Sequence, residues 1–198
     1  MSHLLRIIMI HGHLDGVMEL DLDGHTNICG TNASGKTTLQ RLIPVFYGEQ
    51  PNRVVPKTRK KFDEFYLPHR NSYLIYEYRT ETGKTCQAVL TRNKEGGVAY
   101  RFLDAAYQPQ QYLTENEQGL LALSYEDWQT GLRAQKIDFS SKLQATTEYR
   151  SVIQNDFTLL RGQAREGLRL RQMAAQFSLV RQTHRIRHME KLVYAVHA

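Results

Sequence analysis

The sequence predicts an α/β protein with an antiparallel β meander and a helical C-terminal part. Three observations predict it. Residues 30–37 read Gly-Thr-Asn-Ala-Ser-Gly-Lys-Thr, a full G-x-x-x-x-G-K-[ST] pattern set between an apolar strand and a helical stripe. Residues 72–113 hold three aromatic and β-branched runs separated by turn residues. From residue 118 the two-residue alternation is lost and helical spacing takes over. The first of these makes the α/β part a P-loop NTPase.

The elements follow in order. Residues 4–10, 16–22 and 25–29 read as short strands, with Gly12 and the Asp23-Gly24 pair as the turn signals between them. From Ser34 to Gly48, Leu39, Leu42, Ile43 and Phe46 recur at three- and four-residue spacing, the apolar stripe of a helix that Pro44 should kink or end. Residues 49–71 hold Pro51, Pro56 and Pro68 and read as an irregular loop or short helix. The meander then runs through SYLIYEYRT, TCQAVLTR and VAYRFLDAAY, with Glu81-Thr82-Gly83 and Lys94-Glu95-Gly96-Gly97 as its turns. Helical segments are expected near 125–136, 147–154, 157–180 and 184–196, with Thr146 or Thr147 as N-cap of the second. Two units result: an ATPase lobe over 1–145, with its phosphate loop at 30–38, and a helical segment over 146–198.

Composition narrows the classes. The 198 residues carry 26 Lys plus Arg against 20 Asp plus Glu, and the balance of +6 favours polyanions such as nucleic acid or nucleotide phosphates. No run approaches the roughly 18 apolar residues of a membrane helix. The apolar N-terminal run lacks a basic leader and a small-residue cleavage site, so it reads as a strand and places the chain in the cytosol. Cys29 and Cys86 form neither a disulfide framework nor a Cys-x-x-Cys metal spacing, and read as ordinary strand residues.

The loop carries the chemistry. Its successive backbone N–H groups would point at a triphosphate, with the positive end of the following helix facing the same anion. Gly30 and Gly35 supply backbone freedom, Lys36 reaches the β and γ phosphates, and the Thr37 hydroxyl is placed to ligate Mg²⁺. Thr31, Asn32, Ala33, Ser34 and Thr38 complete the ATP-binding stretch. Guanine is not supported, because Asn93-Lys94-Glu95-Gly96 lacks the base-reading aspartate. An acidic residue closing an apolar strand is also missing: the strands ending at Glu77 and Asp104 are broken by polar or aromatic residues. Leu160-Arg161-Gly162-Gln163 lacks the Ser-Gly pair of an ABC-type signature. The chain holds half of an ATPase. A self-contained P-loop kinase, with Arg161, Arg165 and Arg169 as its lid, is the alternative, and the antiparallel meander argues against it.

The strand LLRIIMIHGH, a second strand, and then Asp-Gly-His-Thr-Asn-Ile-Cys-Gly-Thr-Asn-Ala-Ser-Gly-Lys-Thr-Thr resemble the start of SMC-like ATPases, including MukB-type condensins and their relatives in plasmid and phage defence. Asn32, Ser34, Gly35, Lys36 and Thr37 match the family's loop, and Ala33 stands where the family has glycine. The resemblance covers about residues 4–48. It implies an ABC-type head split in two, with signature and Walker B in a C-terminal half beyond a coiled coil, and hydrolysis of ATP with Mg²⁺ only when a second head engages. It further implies a Mg²⁺-side glutamine, for which Gln144 and Gln154 stand at suitable distances. DNA is the implied partner, with Lys57, Arg59, Lys60 and Lys61 as a phosphate patch. The arginines at 161, 165, 169 and 171 read first as a solvated helix face.

Overall fold

Alternation along five strands sorts their side chains into two buried layers, and that division positions everything else. The structure, a computed structural model, describes residues 2–23, 33–56, 60–158 and 164–181, without the side chains at 33, 34, 36, 164 and 165. The strands are β1 (His3–Ile10), β2 (Val17–Asp21), β3 (Tyr73–Arg79), β4 (Thr85–Arg92) and β5 (Val98–Leu103). They form one sheet in the order β2-β1-β3-β4-β5, antiparallel at every pairing.

Because successive strand residues point to opposite faces, Ile7, Met9, Tyr76, Tyr78, Leu90 and Phe102 share one apolar layer with the helices. Ile8, Ile10, Tyr73, Ile75, Val89 and Leu103 share the other. With both faces covered, β3 is buried from Tyr73 to Tyr78, which is why it reads as a nearly continuous apolar run and not as a clean alternation.

The first layer is closed by α1 (Ala33–Arg41), α2 (Ile43–Phe46), α3 (Phe62–Tyr66), α5 (Thr146–Gln154) and α6 (Ala164–Phe177). The helix expected from 34 to 48 divides at Leu42, since Pro44 cannot continue the hydrogen-bond ladder of α1 and instead sits in the first turn of α2. The second layer holds α4 (Tyr125–Ala134), a hairpin of β6 (Leu113–Asn116) and β7 (Gly119–Ala122), and the buried rings of Tyr73, Tyr112 and Trp128. Ser124 caps α4, its hydroxyl accepting the Asp127 N–H at 3.1 Å.

Residues 138–143 run along the outer edge of β5. The Tyr100 and Leu143 N–H groups each donate to the other's carbonyl at 2.8 Å, Ser140 N–H donates to Phe102 O at 2.8 Å, and Asp104 N–H donates to Asp138 O at 2.8 Å.

Three expectations change. The hairpin at 113–122 lies partly in the stretch expected to be helical. The residue flanking α5 is Ala145, with no side-chain cap, because the Thr146 hydroxyl is turned to the Tyr100 hydroxyl at 2.9 Å and lies within the helix. The last helix among the described residues is α6, shorter than the 157–180 span. The strand expected at 25–29, the helix at 184–196 and the Leu160–Gln163 string lie outside the described residues.

Candidate functional site

The Gly-Lys-Thr end of the phosphate-loop motif lies in the first two turns of α1. Gly30, Thr31 and Asn32 lie outside the described residues, as do the side chains of Ala33, Ser34 and Lys36. Ala33 is the first residue of α1, in helical backbone where alanine is unstrained. Gly35 is buried, Thr37 exposed and Thr38 half-buried. The first turn of α1 has no acidic residue, so nothing there opposes an anion at the helix's positive end.

Thr37 opens on a cavity of about 610 Å³ that Gln40, Arg41, Ile43, Pro44 and Arg53 also line. Thr37, Gln40 and Arg41 share a face of α1 because residues three and four apart on a helix are neighbours. Arg53 comes from the short 3-10 turn Pro51–Arg53 and pairs with Glu49 at 3.1 Å, a pairing four residues apart and open to solvent. Arg41 also stands near the Tyr66 phenol, whose pKa burial holds above its ordinary value against the pull of that charge. Gln40 and Arg41 were not singled out from sequence. Their spacing from Thr37 on a helical stripe was the signal that could have found them.

The far end of α1 is fixed to the sheet. Tyr76 of β3 donates its hydroxyl to Leu42 O at 2.6 Å, and Leu39 and Leu42 are fully buried. The two glutamines are placed elsewhere. Gln154 donates its amide to Tyr47 O at 2.7 Å. Gln144 is exposed and lines a second cavity, of about 710 Å³ and polar, together with Lys61, Arg92 and Lys94. Neither glutamine lines the cavity that Thr37 lines. Lys60 and Lys61 are exposed, while Lys57 and Arg59 lie outside the described residues.

Glu77 is spoken for. It alternates with Tyr76 and Tyr78 and so faces away from α1, receiving Arg6 Nε at 2.8 Å and the Tyr107 N–H at 2.6 Å. Burial acts against the Arg6 charge, but the hydrogen bonds it donates to Glu77 and Glu19 outweigh it and hold the guanidinium above its ordinary pKa. Asp104 pairs with Lys84 at 3.0 Å. Asn93 to Gly97 form the β4–β5 turn, with the Asn93 N–H donating to Gly97 O at 2.9 Å.

Residues 8–198 match the sequence family DUF3584, described as a protein of unknown function. The chain belongs to the DUF3584 family. A search of curated proteins found no significant match. No helix among the described residues of this DUF3584 chain is long and apolar enough to cross a membrane. Among the same residues, no three His, Cys, Asp or Glu side chains gather as a metal site. The DUF3584 helix α6 uses Arg169 internally, to Glu166 at 2.6 Å and Glu148 at 3.3 Å, and Arg171 lies 5.0 Å from the centre of the Phe157 ring. Arg161 and the Arg165 side chain lie outside the described residues.

Proposed function

We propose that this chain is the N-terminal half-head of an SMC-like P-loop ATPase, binding ATP and Mg²⁺ at residues 30–38 and acting on DNA. The observation that carries the reading is the full phosphate-loop motif leading into α1, whose Thr37 faces a cavity flanked by Arg41 and Arg53. An anion at that helix end would meet backbone N–H donors and the Lys36 ammonium, while Arg53 and Arg41, the last residue of α1, line the cavity that Thr37 opens on. The Thr37 hydroxyl would hold the metal, which supplies charge neutralisation between the phosphates. The residues present fit such a ligand, since the first turn of α1 brings no carboxylate to compete with it.

Hydrolysis belongs to a completed site in this reading. Glu77, inside β3, and Asp104, just past the end of β5, are both engaged in ion pairs. The water-activating and signature groups therefore come from a C-terminal half-head and a second head. A cytoplasmic setting next to the nucleoid follows from the DNA partner.

Titration with a fluorescent ATP analogue tests it. The 198-residue chain should bind Mg-ATP, Lys36→Ala should weaken binding at least ten-fold, about 1.4 kcal/mol, and turnover by the chain alone should be negligible. Robust ATPase activity from the isolated chain would overturn the half-head reading. Equal ATP affinity in Lys36→Ala would overturn the nucleotide site itself.

A further inference from the structure

On the face of the sheet opposite α1, five side chains alternate cation and ring. Arg101 of β5 lies between Tyr100 and Phe102, whose rings face the helices, so its guanidinium projects to the α4 side. Its central carbon is 5.9 Å from the Tyr125 ring centre and 5.3 Å from that of Phe139. Arg70 continues the row on one side, 5.7 Å from Tyr125, and Arg133 on the other, 5.6 Å from Phe139.

The charge in this row is unevenly balanced. Arg70 has Glu126 at 3.8 Å. Arg101 donates to Ser140 O at 3.3 Å and to the Tyr125 hydroxyl at 3.0 Å, yet neither it nor Arg133 has a carboxylate in pairing distance among the described residues. The Arg101 Nε is buried and has no acceptor there. Arg133 is exposed, as is Lys136 just beyond α4, while Tyr125 and Phe139 are half-buried.

Guanidiniums without carboxylate partners, held against half-buried rings, suit a strand whose phosphates need cations and whose bases can stack on a guanidinium plane. We propose that the row Arg101, Phe139 and Arg133 is a contact site for single-stranded nucleic acid. It goes beyond the ATP reading and stands independently of it, because it lies across the sheet from α1 and uses none of the phosphate-loop residues. It is also separate from the lysines at 60 and 61. A flat duplex would offer phosphates but no base faces to the guanidinium planes, so the row should discriminate in favour of single strands.

Fluorescence anisotropy with a labelled oligo-dT, a matched duplex and poly-glutamate tests the proposal on the 198-residue chain. Oligo-dT should bind more tightly than the duplex or poly-glutamate. Arg133→Glu and Phe139→Leu should each weaken it about ten-fold, and Arg133→Glu should also lower the salt slope by about one. Arg133→Glu should leave ATP affinity where it was, so failure here is distinguishable from failure of the nucleotide site. Absence of oligo-dT binding at low salt would overturn the proposal. So would unchanged affinity in both variants with unchanged circular dichroism, a loss confined to Lys60→Ala, or a preference for duplex or poly-glutamate.

Discussion

Gly48 follows Tyr47, the C-cap of α2, at φ +106°, a backbone conformation that side chains with a Cβ rarely adopt. A Cβ added there would come within 2.6 Å of Arg150 Cγ and 2.8 Å of its Cβ, and 3.2 Å from the backbone of α5. Gly83 has φ +89° with nothing within 4 Å of such an atom. Gly48→Ala should therefore cost both strain and a clash, and Gly83→Ala strain alone, about 1 kcal/mol. Thermal unfolding followed by circular dichroism should show the larger drop in Tm for Gly48→Ala, at roughly 2–4 °C per kcal/mol for a chain of this size. Equal drops would mean that α5 yields at Arg150. At this scale the sequence speaks where chemistry dictates a string of residues, as the motif from Gly30 to Thr37 does for the proposed phosphate site. It was silent on Arg101, because a lone arginine in a strand reads as a solvated charge until its neighbours Tyr125 and Phe139, more than twenty residues away, are brought beside it.

Helix ends in this molecule are held by phenols. Tyr76 donates to Leu42 O beyond α1, Tyr149 to Phe46 O at the end of α2 and Tyr78 to Phe177 O at the end of α6. The last carbonyls of a helix have no partner within it, and in a buried layer no water replaces one. Leu42 O also accepts the Val45 N–H at 3.2 Å, so Tyr76→Phe leaves that carbonyl with a bond. Tyr149→Phe removes the only acceptor contact recorded for Phe46 O among the described residues. Urea denaturation should show a cost of about 1–3 kcal/mol for Tyr149→Phe and about 1 for Tyr76→Phe. The reverse order would contradict this assignment. The meander and its tyrosines were visible as aromatic runs, and Pro44 announced the break between α1 and α2. The β6–β7 hairpin was not, since its four-residue strands carry exposed Leu120 and Leu121 and no buried alternation. The cap of α5 was misassigned because Thr146 spends its hydroxyl on Tyr100.

For the molecule as a whole, nine of the 11 tyrosines have phenols whose pKa burial raises, those of Tyr100 and Tyr107 to about 12. In the unfolded chain all would titrate near the ordinary phenol value of about 10. Above that pH the unfolded chain binds fewer protons than the folded one, so stability falls as pH rises. Stability should be flat in this respect up to about pH 9 and then be lost steeply above about 10. Absorbance of the phenolate band should rise in a cooperative step coincident with loss of the circular dichroism signal. Smooth titration of all tyrosines near pH 10 with the fold intact would show that the two layers admit solvent. The burial behind this was readable from composition only in part: aromatic residues make up 10% of the chain, but their division between two faces of one sheet depends on pairings that no local pattern states.

The strand-like stretch at 138–143 has a consequence for how this molecule meets others of its kind. An unguarded outer strand offers a ladder of backbone donors and acceptors on which a neighbouring polypeptide can template itself, the route to fibrils and swapped dimers. Along β5 that ladder is taken up from within, by the hydrogen bonds of Asp104, Phe102 and Tyr100 to Asp138, Ser140 and Leu143. The β5 margin is thus self-terminated, and the Gln176 amide bound to Asp138 pins the guard to α6. Growth of the sheet into a polymer is closed off on that side by the chain's own path.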